Sequence, residues 1–211
     1  MREYHKINGI FKRDESGKFI HGDYSVPEFE YLANAQWTFT EKVDGTNIRM
    51  GWNIEEENGG NWCIRGRTDK AVIPEHLLTA LQALDLESKL SRLVTTNNVC
   101  LYGEGYGPKI QAGNGYDTIV SSPRFVLFDI RIGHMWLKRE DMEGLAGQLG
   151  LSVVPEVGTG TIAEGIEMVT GGMRSAWGDF NAEGVIAVPS TALLDRRGHR
   201  IITKLKTKDF E

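Results

Sequence analysis

A lysine can act as a nucleophile only as the neutral amine. Its unperturbed pKa of about 10.4 leaves roughly one amine in a few thousand neutral at pH 7, unless burial or nearby cations lower it. Lys42 raises that question. It lies in Thr40-Glu41-Lys42-Val43-Asp44-Gly45-Thr46-Asn47, between the strand-like runs Trp37-Thr38-Phe39-Thr40 and Ile48-Arg49-Met50. Asp-Gly between two β-prone runs predicts a tight hairpin turn with Lys42 at its mouth. Other strings offer complementary chemistry. Arg65-Gly66-Arg67-Thr68 brings guanidinium forks that can engage phosphate or ribose oxygens. Tyr102-Gly103-Glu104-Gly105-Tyr106-Gly107 sets a glutamate at the end of an apolar strand, between glycines that let backbone approach a ligand closely. Phe125-Val126-Leu127-Phe128-Asp129-Ile130 is an aromatic-bearing strand, and Glu183 opens the apolar run Gly184-Val185-Ile186-Ala187-Val188. In Lys204-Leu205-Lys206, strand alternation puts both lysines on one face and turns Leu205 to the core. Two ammonium groups on one face repel each other, suit an anionic partner, and would help keep Lys42 neutral. They would also stabilise charge developing on a transferred phosphoryl group. Taken singly, each string is an ordinary turn, core aromatic or solvated charge.

The elements that must position these residues read as one α+β domain with mainly antiparallel sheets and helices packed on them. A short helix is predicted from Pro27 into Asn34, with proline at its start. Strands are predicted at 37–41, 47–54 and 61–66, with a turn from Glu55 to Gly60. Leu77, Leu78, Leu81, Leu84, Leu90 and Leu93 recur at helical spacing between Pro74 and Val94, as one long helix or two short ones. A buried strand at Val99–Tyr102 precedes an irregular segment, 105–124, rich in Gly, Asn, Ser and Pro; a loop of that length is usually functional. A hairpin over Phe125–Ile132 and Met135–Leu137, around Gly133-His134, precedes a helix from Arg139 to Leu149 that ends on Gly150. A second helix begins near Thr161, with Glu164 three residues on as a capping box, and ends at Gly171-Gly172. Val185–Val188 and Ile201–Leu205 close the fold.

Composition sets the bounds. The 211 residues are 40% hydrophobic and 25% charged, as in ordinary globular chains. No run approaches the ~20 apolar residues of a membrane span. Cys63 and Cys100 stand apart in apolar runs and read as reduced thiols of a cytoplasmic protein, not as a disulfide framework or zinc site. A net charge of -5 argues against coating nucleic acid by bulk electrostatics. A local basic stretch remains at Arg196, Arg197, His199, Arg200, Lys204, Lys206 and Lys208, while acidic residues gather elsewhere, as at Glu55-Glu56-Glu57.

In order and content, the strings from 41 to 206 resemble the covalent nucleotidyltransferase superfamily of ATP-dependent ligases and mRNA capping enzymes. Within it they are most similar to the RNA ligases, which include kinetoplastid editing ligases and phage enzymes that seal nicks in duplex RNA. The resemblance implies an ATP-grasp-like nucleotidyltransferase fold and attack of the Lys42 amine on the α-phosphorus of ATP, with pyrophosphate leaving. The lysyl-AMP phosphoramidate would then pass its nucleotide to a polynucleotide 5′-phosphate, so that 5′-phosphate and 3′-hydroxyl ends are joined. Lys204 and Lys206 would contact the α-phosphate. Glu41, Asn47, Arg67, Glu104, Phe128 and Glu183 would bind nucleotide, with Glu104 on a ribose hydroxyl and Phe128 stacked on the purine. Glu183 would also bind Mg²⁺ or Mn²⁺, the hard metals that carboxylate and phosphate oxygens favour.

Asn47 turns the resemblance toward RNA ligases, because DNA ligases and capping enzymes usually carry arginine five residues after the lysine. Asp44 pulls the other way: those RNA ligases commonly have histidine there, and aspartate is typical of the superfamily at large. RNA and DNA ends or nicks thus stay open as partners, as do a GTP-dependent guanylyltransferase and a non-catalytic nucleotide-binding module. The chain ends five residues after Lys206, where family members continue into an OB-fold or another C-terminal domain. The expectation is therefore a single nucleotidyltransferase domain over 1–211, either naturally minimal or truncated, with its grip on polynucleotide ends coming from 196–208, from 105–124 or from a partner.

Overall fold

The computed structural model describes residues 1–52 and 60–211. The end of the strand predicted at 47–54, the turn after it and the acidic run Glu55-Glu56-Glu57 lie outside the described residues. The chain divides into two compact units: Met1–His5 with Asp44–Val154, and Lys6–Val43 with Pro155–Glu211. Each has its own apolar core.

The second unit begins with short strands β1 (Asn8–Gly9), β2 (Phe11–Arg13) and β3 (Phe19–Tyr24), then helix α1 (Pro27–Tyr31) and strand β4 (Trp37–Glu41). Proline opens α1 as expected, though the helix stops at Tyr31 rather than Asn34. The antiparallel pair β2–β3 was not anticipated. Its strands are short and largely exposed, so they lack the alternation that marks a half-buried strand. On β4, by contrast, Trp37, Phe39 and Glu41 are buried in strict alternation with Thr38 and Thr40.

The chain then crosses into the first unit. Its sheet is formed by β5 (Thr46–Trp52), β6 (Trp62–Gly66), β7 (Val99–Tyr106), β8 (Arg124–Ile132), β9 (Met135–Trp136) and, after helix α4, β10 (Ser152–Val153). The strands run in the order β10-β8-β7-β5-β6, with β9 paired to β8. All pairings are antiparallel except β10 with β8. The leucine-rich stretch forms two helices, α2 (Glu75–Gln82) and α3 (Leu86–Leu93), broken at Asp85, whose φ of +49° is left-handed. Helix α4 (Arg139–Leu149) ends on Gly150 at φ +71°, as predicted. Ile48, Met50, Leu101 and Leu127 face Leu77, Leu81 and Leu90 in the core, which leaves the alternate residues of the strands on the opposite sheet face.

Two sequence expectations are corrected here. Asp44-Gly45 is not a hairpin turn: β4 and β5 belong to different sheets and do not pair. Gly45 is required for another reason, since a Cβ there would collide with the carbonyl oxygen of Gly105. Glu104 also lies within β7 rather than at its end, because the strand continues to Tyr106. Gly103 and Gly105, read as room for a ligand's close approach, instead make room for the Phe125 ring and for Leu77.

Returning to the second unit, the chain forms β11 (Glu156–Gly160), helix α5 (Ile162–Thr170), β12 (Gly184–Pro189) and β13 (Thr203–Lys206). The sheet order is β1-β13-β12-β4-β11, antiparallel except for β1 with β13. Strand β11 was not anticipated. Helix α5 carries the predicted capping box: Thr161 Oγ1 accepts from the Glu164 amide, and the Glu164 carboxylate accepts from the Thr161 amide. Gly165 lets α5 press onto Phe39 and Leu205. No helix among the described residues is long and apolar enough to cross a membrane.

Candidate active site

In the second unit, strand pairing assembles a charged cluster. The Lys42 amide, just beyond β4, donates to the carbonyl of Gly184 at the start of β12 (2.9 Å). That fixes Lys42 beside Glu183, and its ammonium donates to Glu183 Oε2 at 2.5 Å. Lys206 is opposite Gly184 in the β12–β13 register, so its ammonium reaches Oε1 of the same carboxylate. Lys204, two residues back, shares the Lys206 face, while Thr203 and Leu205 are buried on the other, as alternation required. Among the described residues no carboxylate pairs with Lys204. The side chains of Lys42, Glu183 and Lys206 are 22%, 10% and 18% exposed, so water screens their charges only partly. Burial alone would push the Glu183 carboxyl up, but Lys42 and Lys206 outweigh it and hold the group below its usual range. Burial, reinforced by Lys206 and Lys42, lowers Lys204. Repulsion from Lys206, expected from Lys204-x-Lys206, is thus one cause of the lowering of Lys204.

Glu41 is almost fully buried, on the β4 face that also carries Trp37 and Phe39. Its carboxylate accepts from the Ser175 hydroxyl (2.6 Å) and the Ala176 amide (2.8 Å). Ser175 was missed from sequence; it is 134 positions from Glu41, and nothing in its local string marks it.

In the first unit, Asn47 and Glu104 are direct partners on β5 and β7, on the sheet face away from the leucine core. The Asn47 Oδ1 is buried and has no hydrogen-bond partner among the described residues. Such an atom costs free energy unless a donor arrives. Half-buried Phe128 meets the ring of Tyr4 edge-on at 5.1 Å. The Tyr4 hydroxyl donates to Asp129 (2.6 Å), which fixes that aromatic wall. Arg67 follows β6, is exposed, and makes no ion pair among the described residues. The irregular segment after β7 is tethered as well, because Asn114 donates its side-chain amide to the Asp44 carbonyl (2.8 Å). Of the nine candidates, Glu41, Lys42, Glu183, Lys204 and Lys206 therefore sit in the second unit, and Asn47, Arg67, Glu104 and Phe128 in the first.

Among the described residues no group of three or more His, Cys, Asp or Glu side chains is arranged to hold a metal. A Mg²⁺-type ion does not need one, since it is commonly held by one or two carboxylates together with substrate phosphates. Glu183 fits that donor set: it is a nearly buried, ionised carboxylate beside cations that can receive phosphate.

Solved structures with the same fold include a variant of the Naegleria gruberi RNA ligase determined with ATP and Mn, at TM-score 0.64 and 16% identity over 88% of this chain and 53% of that one. An archaeal ATP-dependent RNA ligase matches at TM-score 0.63 and 18% identity, over 100% of this chain and 49% of that one. This chain thus spans about half the length of these ligases. No curated protein sequence matches it. The RNA ligase family model matches residues 35–206, and the chain belongs to the RNA ligase family.

Proposed function

We propose that this chain is the nucleotidyltransferase domain of an ATP-dependent RNA ligase that joins 5′-phosphate and 3′-hydroxyl ends through a Lys42–AMP intermediate. The observation that carries the reading is Lys42 and Lys206 converging on one carboxylate, Glu183, with Lys204 on the same face and in no ion pair among the described residues. Lys42, Lys204 and Lys206 gather around Glu183, with Asp209 also drawing on Lys204, so the cluster is rich in positive charge and suited to a triphosphate.

The first step forms the Lys42 Nζ–Pα bond of lysyl-AMP and breaks the bond from Pα to the bridging oxygen, which leaves on pyrophosphate. Lys42 attacks as the free amine, so its proton and its ion pair with Glu183 must both be given up first. A Mg²⁺ or Mn²⁺ ion held by Glu183 and the ATP phosphates would supply charge neutralisation at those phosphates. Lys206, released from Glu183, and Lys204 would then steady the negative charge on the α-phosphoryl oxygens, as preorganised cations do in phosphoryl transfer. Asn47, Glu104 and Phe128 serve the nucleoside: Asn47 Oδ1 offers a waiting acceptor, Glu104 takes a ribose hydroxyl, and Phe128 stacks on the purine. Arg67 supplies an exposed fork for phosphate or ribose oxygens. Glu41 was expected to bind nucleotide, but it is buried with both carboxylate oxygens accepting from Ser175 and Ala176, so its proposed part is to set the end of β4. The free thiols of Cys63 and Cys100 suit a reducing, cytoplasmic setting.

Incubation with α-labelled ATP and Mg²⁺ tests the reading. A covalent adduct is expected, mapping to Lys42 with the mass of one AMP and absent from Lys42→Ala. ATP binding without an adduct in well-folded protein, or an adduct that survives Lys42→Ala, overturns it. Nicked duplexes of all-RNA, all-DNA and mixed strands then settle the polynucleotide, with all-RNA expected to seal best.

A further inference from the structure

The connection between β12 and β13 carries the inference. It is itself a small hairpin: the Ile201 amide donates to the Leu193 carbonyl (3.1 Å), and Leu194 and Arg200 form a β-bridge. The Asp195 amide donates to the His199 carbonyl (2.8 Å), and the Gly198 amide to the Asp195 carbonyl (2.9 Å). Asp195 at the first position and Gly198, at φ +80°, at the fourth suit a tight turn closed by a left-handed residue. The Asp195 carboxylate braces it further, with Oδ1 accepting from the amides of Arg197 and His199 at 2.8 Å each. Asp195 is thereby occupied with the turn itself. Arg196 and Arg197, the two residues the turn thrusts outward, are exposed and make no ion pair among the described residues.

We infer that this tip is a sugar-phosphate clamp, in which Arg196 and Arg197 hold phosphates of a polynucleotide strand. The inference rests on the polynucleotide-joining reading above and adds the surface that would grip the strand. Guanidinium groups stay charged at any working pH and match phosphate oxygens with their planar fork. The turn is formed before any ligand arrives, so little ordering entropy is lost on binding. The same hairpin also returns through Lys204 and Lys206, giving it cations at both ends. Five residue steps lead from His199 to Lys204, at most roughly 17 Å if fully extended. That equals about five steps of a duplex strand at 3.4 Å per phosphate. One nucleotide cannot touch both ends, whereas a strand can.

The experiment compares wild type with the Arg196→Ala/Arg197→Ala double variant. It measures anisotropy of a labelled nicked RNA duplex from 50 to 200 mM salt, with the Lys42 adduct read in parallel. The double variant is expected to bind about tenfold more weakly at low salt, with a log K against log salt slope shallower by about 1 to 2, while adduct yield holds. Arg→Lys at both positions should restore most of the affinity, and Asp195→Ala should weaken binding with both arginines retained. Unchanged affinity and slope in the double variant overturn the clamp, and so does a wild type that does not bind the duplex. So does a loss confined to anionic lipid vesicles tested in place of the duplex. No adduct in wild type together with arginine-dependent duplex binding would refute the proposed function and leave the clamp standing.

Discussion

Arg49 is a buried and Glu183 a nearly buried charge, each in contact with partners of opposite sign, yet they do different work. Arg49, in the first unit, is completely buried. Its Nε donates to the Gly66 carbonyl, its Nη1 to the Met1 carbonyl, and its Nη2 to the Asp69 carboxylate, which Arg65 also pairs at 3.0 Å. Every nitrogen of the guanidinium finds an acceptor, and the acceptors come from the chain start, the end of β6 and the turn after it. Such a centre ties pieces of backbone together. Glu183, in the second unit, is one carboxylate shared by two lysines with a third on the same face. Its cations are in excess and keep some exposure. A closed charge centre holds the fold, and the centre rich in cations is the one proposed to take a ligand.

That contrast can be broken by exchanging readouts. The largest expected effect is Lys206→Ala: adduct formation should fall by about 10² to 10³, the usual cost of removing one preorganised stabiliser of transition-state charge. Its chemical denaturation midpoint should barely move. Glu104→Ala should also lose adduct while staying folded. Near wild-type adduct yield in either would mean that the residue is not part of the site. Next comes Arg49→Met, which leaves the Gly66 and Met1 carbonyls without their donor and Asp69 with Arg65 alone. It should cost about 3 kcal/mol or more of unfolding free energy. Equilibrium urea unfolding checks this; a Lys206→Ala variant as unstable as Arg49→Met would erase the distinction.

The two centres also differed in how well they could be read from sequence. Lys204, Leu205 and Lys206 were legible because strand alternation is local and fixes faces without knowledge of the partner strand. Thr161 with Glu164, and Gly150 after α4, were legible for the same reason. Arg49 gave no sign of its burial, because its acceptors lie 17 to 48 positions away. The Ser175 support of Glu41 was hidden likewise. Asp44-Gly45 misled because a glycine that answers to a neighbouring backbone looks, in sequence, like one that answers to a turn. Gly103 and Gly105 misled the same way, and hid that β7 continues beneath Glu104.

A smaller effect is expected at Phe128. If its ring carries the base, Phe128→Ala should weaken ATP binding by about tenfold, within the roughly 1–3 kcal/mol that base–aromatic stacking contributes. Phe128→Tyr should retain most of the affinity. Titration calorimetry with ATP, set beside unfolding of the same variants, separates ligand loss from loss of the Tyr4 contact. Equal ATP affinity in wild type and Phe128→Ala would leave the ring a purely structural partner of Tyr4.

The smallest effect is in the pH dependence of stability, and its sign follows from Glu183. Its carboxyl is held below the usual range in the folded protein, so the folded state keeps it ionised where the unfolded chain, near pKa 4.3, begins to take a proton. The stability it contributes is therefore complete above about pH 5 and is lost as pH falls through the folded value. Glu183→Gln removes that titration and takes the Glu183 charge away from Lys42 and Lys206 at every pH. The gap in unfolding free energy between wild type and Glu183→Gln should accordingly widen from pH 3 to pH 5 and stay constant from pH 5 to pH 7, measured by urea unfolding at each pH. A gap independent of pH below 5 would mean that the lysines do not hold the carboxylate ionised in the free protein. The resting cluster would then lack the charged Lys42–Glu183 pair that the proposed lysine attack has to open.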